Sequence, residues 1–289
     1  MRIVASITED VERVGSDTPP HRVLTDEEVE RFWETGYHVI RDALSPDEIS
    51  HYRRLILDLV PRDLTFPASW SCSMGRMKPY HVSNGVRDQT IDTPELLPLL
   101  GHAKCYAVAA QLLGSRRLRA FDGSLGITLR NDASSPTERS QRLHIDASVP
   151  ADKEFTFTLY EVQLGGCYYL NDVGQQCGGI HLVPGGHRRV EEEVRSHPGG
   201  RHLYNDWKDI PYDDSVEMTG QAGDFVMLHH LMPHAASHNR HSTPRVAQFT
   251  RWVRTDQPYD GSTPPRAYND HQLAAMSPLC QRLLGVTPW

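Results

Sequence analysis

Residues 223–252 read "GDFVMLHHLMPHAASHNRHSTPRVAQFTRW", and their pattern is strand, turn, strand. Phe225 to Met232 is an apolar run opened by a Gly-Asp pair and closed by Pro233. A polar turn follows, and Arg245 begins a second run rich in β-branched and aromatic residues. Runs this short, bounded by Gly, Pro, Asn and Ser, are strand signals. The same texture extends back to Gly114 through "RAFDGSLGITLR", "RLHIDAS", "EFTFTLYEVQL", "CYYLND" and "GIHLVPG". Strands at this spacing with no long helix between them predict an antiparallel sandwich or barrel.

The N-terminal third reads differently. Thr25 with Glu28 three residues later is a capping box opening "LTDEEVERFWETGY". Ser45 and Glu48 repeat it in "LSPDEISHYRRLILDLV", with Pro46 at the favoured first helical position. Between them "GYHVIRDAL" alternates as a strand. A third helix is predicted from Pro94 to a stop at Gly114, divided by Pro98 and Gly101. Residues 61–92 have no period and read as an extended loop. The expected architecture is mainly β with flanking helices: an arm over 1–22, then one domain over 23–289.

With 38% hydrophobic and 23% charged residues the chain has the composition of a globular protein with a sizeable core. The acidic N-terminus is unlike a signal peptide, and no run approaches the ~20 apolar residues of a membrane helix. The expected location is therefore cytoplasmic, with no membrane partner. Five cysteines without a CxxC pair argue against a disulfide framework or a thiolate zinc site. A net charge of −7 disfavours a nucleic-acid partner.

Within "RLHIDAS", residues i and i+2 of a strand share a face, so His144 and Asp146 project together while Ile145 faces the core. An imidazole nitrogen and a carboxylate oxygen are donors that suit Fe(II), and a face of two histidines and one carboxylate leaves three positions open. Alone the pair is weak evidence, because random placement would yield roughly two such pairs. A third ligand must come from another strand. A dianionic co-substrate would need an always-charged, forked donor for its far carboxylate, which is arginine. His234 and Arg245 meet those needs.

The ordered set resembles the phytanoyl-CoA dioxygenase-like family of Fe(II)- and 2-oxoglutarate-dependent oxygenases. In that pattern an HxD precedes a histidine by about ninety residues and an arginine follows eleven later; His144, His234 and Arg245 have these spacings. The resemblance covers most of residues 23–254. "YYLNDVGQQCGGIHLVPGGHR" is similar to the family segment ending in Pro-Gly-Ser-His, and "GDFVMLHHLMPHAASHN" to the strand carrying the distal histidine. It implies a double-stranded β-helix (jelly roll) with Fe(II) on His144, Asp146 and His234. It also implies 2-oxoglutarate chelating the metal, its distal carboxylate on Arg245, and O2 consumed with release of succinate and CO2. Thr128 and Arg130 lie where relatives place further contacts to the co-substrate or substrate. Asp146 argues for oxygenation, since halogenating relatives lack that carboxylate.

This chain departs from the pattern at three places. Ala236 replaces a Ser or Thr that helps hold 2-oxoglutarate, and Ser237 would point elsewhere. Gly186 replaces the Ser of Pro-Gly-Ser-His. Cys167 stands where an aromatic wall is common.

Of the other histidines, His229 and His230 are expected on opposite sides of a strand in surface or core packing, and His238 and His241 in a solvated turn. The acidic "VEEEV" run reads as a solvated helix face. The loop bearing Trp70, Met74, Arg76, Met77, Lys78, Tyr80 and His81 is a candidate lid or substrate wall. The expected function is hydroxylation of a small molecule in secondary metabolism. The same iron site serves desaturation, epoxidation, ring closure or epimerisation, and a ligand-binding jelly roll is the non-enzymatic alternative. The expected partner is a small-molecule substrate, not favoured to be a coenzyme A thioester; monomer and homodimer are both open.

Overall fold

A computed structural model of the chain describes residues 20–58, 93–128, 130, 143–145, 163–196, 215–256 and 267–289. Residues 1–19 of the N-terminal arm, the candidate lid loop and Asp146 lie outside them.

Helix α1 (Asp26–Thr35) starts as its capping box requires. Thr25 Oγ1 accepts from Glu28 N at 3.2 Å, and the Glu28 carboxylate accepts from Thr25 N at 2.8 Å. Gly36, in the left-handed conformation at φ 80°, ends the helix. Strand β1 (Tyr37–Ile40) and helix α2 (Pro46–Asp58) follow, the latter opened by Ser45 and Glu48 in the same reciprocal way. His102 and the Ser45 cap hold the Glu48 carboxyl down at about 2. The third helical segment divides as predicted. A 3-10 turn (Pro94–Leu96) leads into α3 (Leu97–Leu100), and α4 (Ala103–Leu113) follows a break at Gly101. A Cβ on Gly101 would lie 2.6 Å from Cys280 Cβ, so glycine allows the C-terminal helix to approach there.

Contrary to the expectation from sequence, Pro94–Leu113 is long and apolar enough to cross a membrane by length and composition. Its most apolar window is 72% buried inside the fold, where the segment serves as core.

The strands are β2 (Leu118–Thr128), β3 (Gln163–Tyr169), β4 (Ile180–Leu182), β5 (Val216–Met218), β6 (Phe225–His229), β7 (His234–Ala236) and β8 (Arg245–Arg254). Helix α5 (Gly186–Arg195) follows β4, and α6 (Asp270–Ala275) and α7 (Pro278–Leu283) follow β8. The strands form two antiparallel sheets, β1-β6-β3-β8-β2 and β5-β4-β7. This is the predicted jelly-roll architecture with helices on one flank.

Period-2 alternation divides each strand of the large sheet between two layers. Tyr168, Phe225, Met227, Val246 and Trp252 pack in one apolar cluster with α1, α2 and α4. Their neighbours Cys167, Tyr169, Val226, Leu228 and Ala247 pack instead with Ile180, Leu182 and Met218 of the small sheet. The second layer is the interior of the roll.

Tyr169 ties the sheets together. Its hydroxyl donates to Met218 O at 3.0 Å and accepts from Ile180 N at 3.1 Å, with the ring fully buried. Tyr169→Phe keeps the ring but withdraws one bond from each of two buried backbone groups. The expected loss is about 1–3 kcal/mol in denaturant unfolding. A midpoint unchanged from wild type would show that the hydroxyl does not join the sheets energetically.

Candidate metal centre

The small sheet is extended by one residue pair. His144 and His234 exchange both backbone hydrogen bonds, N to O at 2.8 Å each way, as an isolated antiparallel bridge. Residues directly opposite in such a pair share a face. On its other side His234 is opposite Leu182, whose side chain lies in the interior cluster. The two imidazoles therefore sit together on the inner face, centroids 4.3 Å apart at 47°. Ninety residues of chain separate them, and two backbone bonds join them.

The tautomer of His234 is set locally. Its Nδ1 lies 2.9 Å from Met232 O, which can only accept, so Nδ1 carries the proton and Nε2 is the nitrogen that would serve as a metal donor. Pro233, whose carbonyl accepts from Val183 N at 3.1 Å, fixes the chain immediately before it. Among the described residues no group of three His, Cys, Asp or Glu forms a metal cage. The third predicted ligand, Asp146, is outside them.

Arg245 begins β8 opposite Thr128, the last residue of β2. Both are 1% exposed. The Thr128 hydroxyl accepts from Arg245 Nη2 at 2.7 Å and Nε at 3.2 Å, and the guanidinium lies 5.8 Å from the Phe249 ring centroid. Gly178, at φ +83°, covers the pair. A Cβ there would meet Thr128 Cβ and Cγ2 at 2.9 Å, so only glycine lets that backbone approach. Thr128 is held in turn by Asn239, whose side-chain amide donates to Thr128 O at 2.9 Å. Arg130, the other predicted contact, lies beyond the end of β2 and is exposed.

Ala236 faces inward opposite Ile180, while Ser237 turns away and donates to Glu217 Oε1 at 2.5 Å. Ser237 thus does not supply the missing hydroxyl, in line with the expectation. Gly186 has a packing role that sequence did not reveal: a Cβ on it would lie 2.9 Å from Pro233 Cδ. Cys167 is fully buried opposite Phe249, so an aromatic ring is present one strand over.

Two expectations for the remaining histidines need correction. His229 and His230 do not face opposite sides. They follow one another at the end of β6 with rings stacked 4.7 Å apart, both buried. His238 is not solvated but 6% exposed, its carbonyl accepting from Gly178 N. Residues 237–239 fold back over the interior, while His241 is exposed as expected.

Burial, the largest cause, pushes His229 well below the usual imidazole range, and His230 and His187 add to the effect. Burial also lowers His187, against a hydrogen bond to Trp33 O that raises it. Both hold their neutral form to lower pH than the unfolded chain does, which begins to take up protons near pH 6.5. Stability should therefore fall as pH drops from 6.5 towards the folded values. The slope is up to about 1.4 kcal/mol per pH unit for each histidine. Denaturant unfolding at a series of pH values checks this; a flat profile from 6.5 to 5 would contradict it.

The phytanoyl-CoA dioxygenase (PhyH) family model matches residues 32–247. No curated protein matches the chain. Among solved structures, the non-heme alpha ketoglutarate dependent carbocyclase SnoK from nogalamycin biosynthesis is 23% identical with TM-score 0.59, covering 89% of this chain and 92% of that one. EvdO2 from Micromonospora carbonacea var. aurantiaca, complexed with 2-oxoglutarate, is 18% identical with TM-score 0.53, covering 83% and 97%. EctD from S. alaskensis, with 2-oxoglutarate and 5-hydroxyectoine, is 17% identical with TM-score 0.53, covering 90% of each chain. At these identities the likeness is one of fold.

Proposed function

Because the chain belongs to the phytanoyl-CoA dioxygenase family, and is thereby an Fe(II)- and 2-oxoglutarate-dependent enzyme, we propose that it hydroxylates a small-molecule substrate, in secondary metabolism, at a site built on His144, Asp146, His234 and Arg245. The observation that carries this reading is the His144–His234 pair on the inner face of the roll, with a buried Arg245–Thr128 pair on the facing sheet.

The donor set fits the metal. Two neutral imidazoles and the carboxylate two residues after His144 make the three-ligand face that suits Fe(II) and leaves positions for a chelating acid and O2. With 2-oxoglutarate and O2 bound, the iron supplies the oxidant for one substrate C–H bond, with succinate and CO2 as co-products. The remaining work falls to the chain's own residues. Met232 O keeps the proton on His234 Nδ1. Arg245 offers a planar fork to the distal carboxylate of 2-oxoglutarate. Thr128 Oγ1 accepts two of its N–H groups and keeps its own hydrogen to donate to the same carboxylate, the service that a hydroxyl at position 236 gives in relatives. The apolar interior, with Cys167, Leu228 and Ala247, excludes water around them.

The test is succinate formation by Fe(II)-loaded protein given 2-oxoglutarate and O2, alone and with a panel of small molecules. Wild type should release succinate, faster with a true substrate, and His144→Ala or His234→Ala should not. A product gaining one oxygen atom supports hydroxylation; loss of two hydrogens or an unchanged mass assigns desaturation, ring closure or epimerisation instead. No succinate from wild type under any condition would overturn the proposal.

A further inference from the structure

We infer that His229 is a positioning residue for the distal histidine: its ring shapes the turn that presents His234. This rests on the reading of His234 as an iron ligand and deepens it.

Residues 229–232 form a tight turn closed by Met232 N donating to His229 O at 2.9 Å. Inside it, His229 Nδ1 accepts from Leu231 N at 3.2 Å. That is the bond an Asn or Asp side chain makes in an Asx-turn, here supplied by imidazole. The turn aims Met232 O, which in the next step of the chain accepts from His234 Nδ1 at 2.9 Å. The orientation of His234 is therefore inherited from the turn, and the turn is braced by the His229 ring.

The ring itself is held from several sides. His187 lies 4.9 Å away, His230 4.7 Å and Trp33 5.9 Å, centroid to centroid. His187 Nε2 donates to Trp33 O at 3.1 Å, in the last turn of α1. The His229 backbone N–H donates to Gly36 O at 2.9 Å, and a Cβ on Gly36 would lie 2.3 Å from His187 Nδ1. Helix α1, the first turn of α5 and the end of β6 thus meet at one aromatic cluster. Among the described residues, hydrogen bonds link this cluster to His234 through residues 231–233. This is the arrangement of a support that acts on a ligand through the backbone.

The test compares His229→Leu, which removes the acceptor and keeps apolar bulk, with His229→Asn, whose Oδ1 occupies the same bonded position as Nδ1. The readouts are anaerobic Fe(II) affinity and the thermal midpoint of the metal-free protein. Both variants lose the ring stack, so both midpoints should fall by similar amounts. Only His229→Leu should lose Fe(II) affinity, by about 10–100-fold, the effect of deleting a residue that orients a ligand. His229→Asn should stay within about threefold of wild type, because the turn bond is retained. Equal Fe(II) losses in the two variants, or none in His229→Leu, would overturn the inference. Should the leucine variant fail to fold, a tenfold loss in His229→Asn overturns it by itself. Wild type that binds no Fe(II) overturns the ligand assignment first, and this inference with it.

Discussion

Arg245→Gln is expected to raise the 2-oxoglutarate concentration needed for half-saturation by about 100-fold or more, and to leave Fe(II) affinity within about threefold. Arg245 is 1% exposed, and its direction is fixed by the bonds to Thr128 and the ring of Phe249. A guanidinium held this way loses little freedom when a carboxylate arrives, so most of the charge-assisted pair appears as affinity. Glutamine retains an N–H for Thr128 and some of the volume, but neither the charge nor the fork. Arg245→Lys separates those two losses, since lysine restores the charge alone, and its affinity should fall between the other two. The measurement is succinate formation against 2-oxoglutarate concentration, with Fe(II) binding followed separately. An Arg245→Gln protein with wild-type 2-oxoglutarate dependence would place the carboxylate elsewhere.

The second large effect is on stability. Trp252→Ala should cost about 3–5 kcal/mol, through lost burial and the cavity left behind. Trp252 is fully buried in β8, between Leu164 of β3 and Ala120 of β2 in register, with Phe225 5.4 Å away edge to face. It stands where the large sheet meets the helical layer, packed in the cluster with α1, α2 and α4. A loss of that size is a large part of the ~5–15 kcal/mol that holds a domain together. Trp252→Phe should cost much less, below about 1.5 kcal/mol, because Trp252 Nε1 has no hydrogen-bond partner among the described residues and its removal strands nothing. Equilibrium denaturation of both variants decides the matter. An alanine variant as stable as the phenylalanine one would mean that this core is not packed as described.

How legible these features were depends on the range of the interaction behind each. The caps at Thr25, Ser45 and Gly114 are chemistry within four residues; the first two open helices and the third ends one, where the sequence predicts. Alternation along 225–229 and 245–254 comes from the pleat and needs no partner to be seen. Helices α6 and α7 escaped notice because six residues are too few for a 3.6-residue period. Their caps, Asn269 with Gln272 and Ser277 before Pro278, were the available signal. Strands β5 and β7 are three residues each, below what alternation can register.

The site divides in the same way. Composition or period alone could not pair residue 144 with 234, or 128 with 245, since register over such separations is a property of the folded sheet. The resemblance implied a shared site for both pairs, and the described backbone brings each pair together. The burial of His238 was misread because a histidine in a polar turn suggests water, whereas residues 237–239 fold back onto the roll and leave His241 exposed as expected. The core packing of His229 and His230 was among the expected alternatives, but not their stacking side by side. The Gly186–Pro233 contact was invisible for another reason: glycine in a Pro-Gly-Gly-His turn looks like turn chemistry, and its use as space for a neighbouring ring exists only in three dimensions.

The central claim is that one site takes Fe(II) and 2-oxoglutarate together, and an anaerobic titration tests it most directly. Metal-free protein receives Fe(II), then 2-oxoglutarate, while the weak visible charge-transfer band of the chelate is followed. The account predicts that the band appears only when both are present in wild type, and is lost in His234→Ala. Confirmed Fe(II) binding with no band at saturating 2-oxoglutarate would contradict it, and would leave a metal-binding jelly roll without the proposed co-substrate.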